Sequence, residues 1–322
     1  MSAEGVAPPI ELRGLVKRYG DLTAVDHVDL TVETGDVFGY LGPNGAGKTT
    51  SLRMMLGLIR PTEGSVRIFG RDPQLGIEAL EGVAGFVEGP QFYPYLPGRV
   101  NLELLAALDG GDAPSRVDEV LEIVELGARG KDRVGGYSHG MRQRLGIAAS
   151  LLRAPRLLLL DEPATGLDPG GMRDMRRLVR NLASEGMTVL LSSHLLAEVE
   201  ELCNRVAIVQ TGRVAYEGSL EDLRATAGLR YRLRTTDDGR ARKICDAQPG
   251  IDVAAESPGW LTIHAEHDDS IAEVSQALVE ASVLVRELSP QLATLEDLFF
   301  RLTEGPGRAS QSEPAAIGET SA

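Results

Sequence analysis

The chain has 322 residues, 43% of them hydrophobic, enough for one large core and a smaller one. Its 47 acidic residues outnumber 33 basic ones, and the formal charge of −14 argues against nucleic acid or an anionic membrane surface as a direct partner. Cys203 and Cys245 form no CxxC pair, so neither a disulfide framework nor a zinc site is indicated, and no apolar run approaches the length of a bilayer span.

The N-terminus, Met1-Ser2-Ala3-Glu4-Gly5, has neither the basic start nor the apolar stretch of a secretory signal. Residues 10–18 and 25–33 read as strands, carried by Ile10, Leu12, Val25, Val28, Leu30 and Val32, with Gly20-Asp21 as the turn between them. Tyr19 precedes that turn; its ring could stack on an adenine face, although packing on a half-buried sheet is the plainer reading. The apolar run Val37-Phe38-Gly39-Tyr40-Leu41 then leads into Gly42-Pro43-Asn44-Gly45-Ala46-Gly47-Lys48-Thr49-Thr50 and a helix over Lys48–Leu58. Strand, glycine-rich loop and helix in that order make a Walker A phosphate loop. Glycines let successive N–H groups converge on an anion, and the helix dipole adds to their pull. Lys48 can span the β- and γ-phosphates, and the Thr49 hydroxyl can ligate Mg2+.

Ser65–Phe69 reads as another strand, and between about 88 and 155 the pattern turns helical. Val117, Val120, Leu121 and Val124 fall at helical spacing with Gly127 where a C-cap belongs, and Met141, Leu145, Ala148 and Leu152 make a second stripe. A buried strand at 156–160, a helix at 172–185 closed by Gly186, and a strand at Thr188–Leu191 follow. This alternation implies an α/β fold with a parallel sheet under helical cover. After Gly218 the rhythm changes to a short helix at Ser219-Leu220-Glu221-Asp222, a strand at 230–236 and a helix near 240–247. A hairpin about Ser257-Pro258-Gly259, a helix at 270–281 and a strand at 283–287 complete a βαββαβ order, expected to form a ferredoxin-like α+β unit. A last helix presents Leu295, Leu298, Phe299 and Leu302, and the polar composition of 304–322 reads as a disordered tail.

Chemistry concentrates in three further stretches. Leu157-Leu158-Leu159-Leu160-Asp161-Glu162 is a Walker B pattern, a buried strand delivering Asp161 to a metal and Glu162 to the attacking water. Ser138 opens the Met141 stripe as a natural N-cap, so its hydroxyl and the N–H groups after it can face a phosphate or simply cap the helix. His194 ends the 188–193 strand, within reach of a γ-phosphate if that strand lies beside the loop.

The order of these pieces, from Walker A through Tyr137-Ser138-His139-Gly140-Met141, Leu159-Leu160-Asp161-Glu162-Pro163 and Gly166-Leu167-Asp168 to Ser192-Ser193-His194, resembles the ATP-binding subunit of ATP-binding-cassette (ABC) transporters over about residues 10–220. The resemblance implies a P-loop NTPase of ABC type, with a parallel-sheet core, an antiparallel β subdomain and a helical subdomain. Its domains would run 8–220 for the ATP-binding part, with the helical subdomain at about 88–155, and 221–303 for an accessory unit. It further implies Tyr19 as the adenine-stacking residue, Tyr137–Met141 as the signature sequence, Asp168 in the D-loop and His194 as the switch histidine. Two such subunits would face head to tail, so that ATP and Mg2+ on one Lys48 are completed by Ser138 and Gly140 of a second copy. An integral-membrane permease would be driven by the pair, which would sit on the cytoplasmic face of the membrane through that partner.

Three positions depart from the family pattern: His139 stands where Gly is typical, Met141 where Gln is typical, and Glu88 at the Q-loop glutamine position, with Gln91 as the alternative register. Glu88 is therefore a further candidate metal ligand. The segment Phe86–Pro94 and the C-terminal unit resemble the branch that serves bacitracin and lantibiotic immunity and drug export. Phe92, Tyr93 and Tyr95 are candidates for an apolar coupling groove at about 88–105. An importer ATPase with a regulatory C-terminal domain is the nearer rival reading. An ABC ATPase acting on DNA or ribosomes is further off, because the chain has neither a second cassette nor a long coiled-coil insertion.

Overall fold

The computed structural model describes residues 7–225, 229–257, 259–265, 267–291, 295 and 298–299. The chain divides into two compact units, Met1–Ser219 and Leu220–Ala322. In the first, β1 (Ile10–Tyr19), β2 (Leu22–Val32), β3 (Val37–Leu41), α1 (Lys48–Met55), β4 (Glu63–Ile68) and β5 (Val83–Phe86) are followed by α2 (Gly98–Asp109), α3 (Val117–Ile123) and α4 (His139–Leu151). Then come β6 (Leu157–Asp161), α5 (Pro169–Ser184), β7 (Thr188–Ser193), α6 (Leu196–Leu202), β8 (Arg205–Gln210) and β9 (Arg213–Ser219).

β3, β6 and β7 are buried along their whole length, as a parallel strand covered on both faces must be. They form the centre of a six-stranded sheet of order β5-β6-β7-β3-β8-β9, parallel except for the β8–β9 hairpin at one edge. An antiparallel three-stranded sheet, β2-β1-β4, lies apart from it, and α1 packs against β2, β4 and β6 so that its Leu52, Met54 and Met55 join the two sheets in one core. Walker A and Walker B therefore sit on strands of one sheet separated only by β7.

Several element ends differ from the sequence reading, each for a local reason. α1 stops at Met55 rather than Leu58 because Gly57 takes φ 68°. α5 starts at Pro169 rather than 172: Asp168 accepts from the Gly171 N–H (2.9 Å), and proline is well suited to the first helical position. α3 is closed by Glu125 (φ 56°) rather than by Gly127. The Leu126 N–H donates to Leu121 O (2.8 Å) and the Glu125 N–H to Glu122 O (3.0 Å), a Schellman closure in which Leu126 and Leu121 are both buried. β5, β8, β9 and α6 are further elements that the sequence reading does not mark.

In the second unit, α7 (Leu220–Ala225) precedes β10 (Leu229–Thr235), α8 (Asp238–Asp246), β11 (Ile251–Ser257), β12 (Trp260–Ala265), α9 (Asp268–Glu280) and β13 (Val285–Gln291). The antiparallel sheet order β11-β12-β10-β13 is that of a ferredoxin-like βαββαβ unit. Leu233 and Ile263 from the sheet meet Ala241, Cys245, Val274 and Leu278 from the helices in its core. Leu295 and Leu298 are buried, whereas Leu302 and the 304–322 tail lie outside the described residues. No helix among the described residues is long and apolar enough to cross a membrane.

Candidate active site

The phosphate loop leaves the buried end of β3 and turns into α1 through Gly47 at φ 98°. A Cβ at Gly47 would lie 2.3 Å from Ala24 O, and one at Gly42 would lie 2.4 Å from Val209 O, so neither position admits a side chain. No side chain caps α1, which leaves its first N–H groups available to an anion. Lys48 is buried, and its Nζ donates to Gly42 O (2.7 Å) and Pro43 O (3.3 Å) while lying 3.3 Å from Glu162 Oε1.

The C-terminal ends of β6 and β7 supply the remaining groups. The Thr49 hydroxyl donates to Asp161 Oδ2 (2.9 Å) at the end of β6, and the Ser192 hydroxyl of β7 donates to the other Asp161 oxygen. Glu162 follows at φ 50°, a conformation disfavoured for residues with a Cβ. It is held there because its N–H donates to Ser192 Oγ (3.1 Å) and Ser192 O (3.2 Å). Its Oε2 accepts from the Thr165 hydroxyl (2.9 Å) and lies 2.7 Å from His194 Nδ1. A carboxylate only accepts, so that Nδ1 carries the proton.

Lys48, Thr49, Glu162, Thr165 and His194 line one cleft of about 460 Å³ together with Tyr19, Leu22, Ala24 and the loop residues Asn44, Gly45, Ala46, Gly47 and Thr50, while Asp161 and Ser192 are buried and do not line it. Tyr19 stands at its edge with 47% of its surface exposed, and Lys17 Nζ lies 5.1 Å from the ring centroid. Thr49 and Asp161 together offer hard oxygen donors, and no group of three His, Cys, Asp or Glu is gathered as a metal site among the described residues. That small donor set fits Mg2+, which takes one or two protein ligands and completes its shell with phosphate oxygens and water.

Ser138 and Gly140 are not among the residues lining this cleft. Ser138 caps α4, accepting from the Met141 N–H (3.2 Å). Glu88, the remaining metal candidate, is not brought to Thr49 and Asp161: its side chain is 67% exposed and ion-paired with Arg53 in the last turn of α1. Gln91 also stays away from the cleft, its amide on Gly89 O (3.3 Å).

The sequence reading gave no role to Thr165, Ser192 or Glu198. Their signal was position only: three residues after Glu162, two before His194 and four after it. Glu198 is buried behind the His194 loop, its Oε2 accepting from the Ser193 hydroxyl (3.2 Å), and burial raises its carboxyl above the usual glutamate range. Burial likewise holds the Cys203 thiol far above its ordinary value, so it is no nucleophile.

Residues 25–165 match the family model described as ABC transporter. The chain is 39% identical over 307 residues to an uncharacterized ABC transporter ATP-binding protein of Bacillus subtilis, covering 92% of this chain and 96% of that protein. It is 38% identical to a bacitracin transport ATP-binding protein of Bacillus licheniformis (92% and 97% covered) and 37% identical to a daunorubicin resistance ATP-binding protein of Streptomyces coeruleorubidus (94% and 98%). Among solved structures it is similar to an ATP-binding subunit of an ABC transporter, with a TM-score of 0.60 at 30% identity over 68% of this chain and 92% of that one. It is also similar to a dimeric post-hydrolysis ATP-binding cassette bound to ADP and phosphate, with a TM-score of 0.58 at 25% identity over 66% and 98%. With nearly its whole length aligned to such relatives, the chain belongs to the ABC transporter ATP-binding protein family.

Proposed function

We propose that the chain is the ATP-hydrolysing subunit of an exporter that moves an antibiotic or similar natural product through a separate permease. One observation carries the hydrolytic part: Lys48, Thr49, Glu162 and His194, from three distant stretches, meet in a single cleft around the phosphate loop, with Asp161 hydrogen-bonded to the Thr49 hydroxyl. Lys48 and the N-terminal N–H groups of α1 would hold the β- and γ-phosphates. Thr49 and Asp161 would hold Mg2+, which supplies charge neutralisation at the phosphate oxygens. Glu162 would orient water for in-line attack on the γ-phosphorus, the bond to the β-phosphate oxygen breaking as the new P–O bond forms. His194, kept in one tautomer by Glu162, would contact the departing phosphoryl group, and Tyr19 would stack on the adenine.

Ser138 and Gly140 line no part of this cleft, which suits their delivery to the nucleotide of a second copy in a homodimer. The relatives named for bacitracin transport and daunorubicin resistance support an antibiotic-like cargo. An apolar groove of about 630 Å³, lined by Phe92, Tyr93, Leu104, Leu105 and Leu108, supports a permease contact, with the Tyr95 ring 5.8 Å from that of Tyr93 at its margin. The unit from Leu220 onward would be an accessory domain.

Glu162→Gln tests the chemistry. ATP binding should persist while turnover falls by about a hundredfold or more, leaving a stable ATP-bound dimer measurable by gel filtration. Undiminished hydrolysis would remove Glu162 from the mechanism. Copurification of a permease, with drug efflux that depends on both proteins, tests the exporter reading.

A further inference from the structure

His139 belongs to the turn that opens α4, yet its ring reaches the turn behind Glu162 in the same chain. Its Nε2 lies 3.0 Å from Thr165 O, and because a carbonyl only accepts, that nitrogen carries the proton. Thr165 is the residue whose hydroxyl donates to Glu162 Oε2 (2.9 Å), and its N–H donates to Glu162 O (3.2 Å). The two turns touch at a second point as well: a Cβ on Gly140 would stand 3.5 Å from Leu167 Cδ2. One residue therefore has its carbonyl fixed by His139 and its hydroxyl on the carboxylate that sits at φ 50°.

We propose that His139 is a positioning residue for Glu162 of its own subunit, acting through Thr165. The proposal rests on the dimeric ATPase reading, and under it His139 occupies a particular place. It lies between Ser138 and Gly140, the two residues directed to the partner's nucleotide, while its own ring holds Thr165, whose hydroxyl is on the carboxylate that serves its own nucleotide. A displacement of the α4 turn by the partner's ATP is thereby passed to Glu162 of the same chain, which couples the two sites.

Mixed dimers of the full-length chain, isolated with two different affinity tags, test this, with Glu162→Gln silencing one site. In the first arrangement His139→Ala is placed in the subunit that keeps Glu162. The kcat of the surviving site should fall about fivefold, the order expected for one lost hydrogen bond, with KM for ATP unchanged. His139→Gln, whose amide nitrogen reaches a similar position to Nε2, should restore most of the rate. In the second arrangement His139→Ala is placed in the chain that already carries Glu162→Gln, and the surviving site should keep the rate of the singly silenced dimer. A loss in the second arrangement instead of the first, or a glutamine variant no better than alanine, overturns the proposal.

Amide hydrogen exchange reads the same contact without turnover. His139→Ala should speed exchange at Thr165–Leu167 and His139→Gln should not; equal exchange in wild type and His139→Ala overturns the proposal. If the wild-type chain hydrolyses no ATP, the proposed function falls, while the exchange measurement still decides whether His139 holds Thr165.

Discussion

Glu162 keeps a backbone conformation that costs of order 1–3 kcal/mol, and Ser192 opposes that cost with two acceptors for one N–H. The same hydroxyl also serves Asp161, so Ser192 aligns the Asp161 and Glu162 carboxyl groups together. Glu198 is the other carboxyl under constraint. Burial raises its pKa above the ordinary glutamate value of 4.5, so the native state favours its neutral form. The resulting stabilisation is fully present below 4.5 and is lost as pH rises through the raised value. The denaturant midpoint of Glu198→Gln, compared with wild type, should therefore shift in favour of the variant as pH increases from acid to neutral. A gap that stays flat would mean the carboxyl titrates normally. Glu88 makes the opposite case. Its carboxylate is mostly exposed and paired with Arg53, so Glu88→Gln should change stability by less than about 1 kcal/mol. The Mg2+ dependence of ATP binding should also be unchanged in a titration with nucleotide; a shifted dependence would bring Glu88 into the metal shell once ATP is bound.

At the scale of elements, the site depends on how closely β5 approaches β6. A Cβ on Gly85 would lie 1.9 Å from Leu159 O, in the strand that delivers Asp161. Gly85→Ala should cost about 1–3 kcal/mol or more in urea unfolding, because backbone rather than a movable side chain must give way. β5 itself illustrates what a sequence withholds. Its four residues, Val83-Ala84-Gly85-Phe86, have no alternating pattern, and only pairing with β6 makes them a strand. The α3 end is similar: Gly127 was the better local stop signal, but burial of Leu126 closes the helix two residues earlier through Glu125. Where local chemistry and packing agree, as in the Gly186 closure of α5, the sequence was sufficient. There the Met187 N–H donates to Leu182 O (3.2 Å) and the Gly186 N–H to Ala183 O (2.9 Å).

At the scale of the whole molecule, α2 turns Leu102 and Ala106 into the core of the first unit and leaves Leu104, Leu105 and Leu108 exposed. Asn101 fixes the loop beside them, its side chain accepting from the Tyr93 N–H (2.8 Å) and donating to Tyr93 O (3.1 Å), so the groove has a rigid wall. Leu108 is 84% exposed and does not line the nucleotide cleft. Leu108→Glu should leave basal ATP hydrolysis unchanged while weakening copurification with the permease and its stimulation of turnover. Unaltered copurification would move the contact elsewhere. The sequence by itself determined the phosphate loop and the ATP-binding family it marks, because such a loop is a contiguous backbone device whose glycines, lysine and threonine lie within a few residues of one another. It also set the order of motifs and the βαββαβ rhythm of the second unit, which follow from local periodicity. Only the tertiary structure decided that Ser192 joins Asp161 to Glu162, that Glu88 is held by Arg53, and that His139 reaches Thr165. Those contacts link residues 26 to 35 positions apart, and such distances are set by how strands pair and helices pack, not by any local property of the chain.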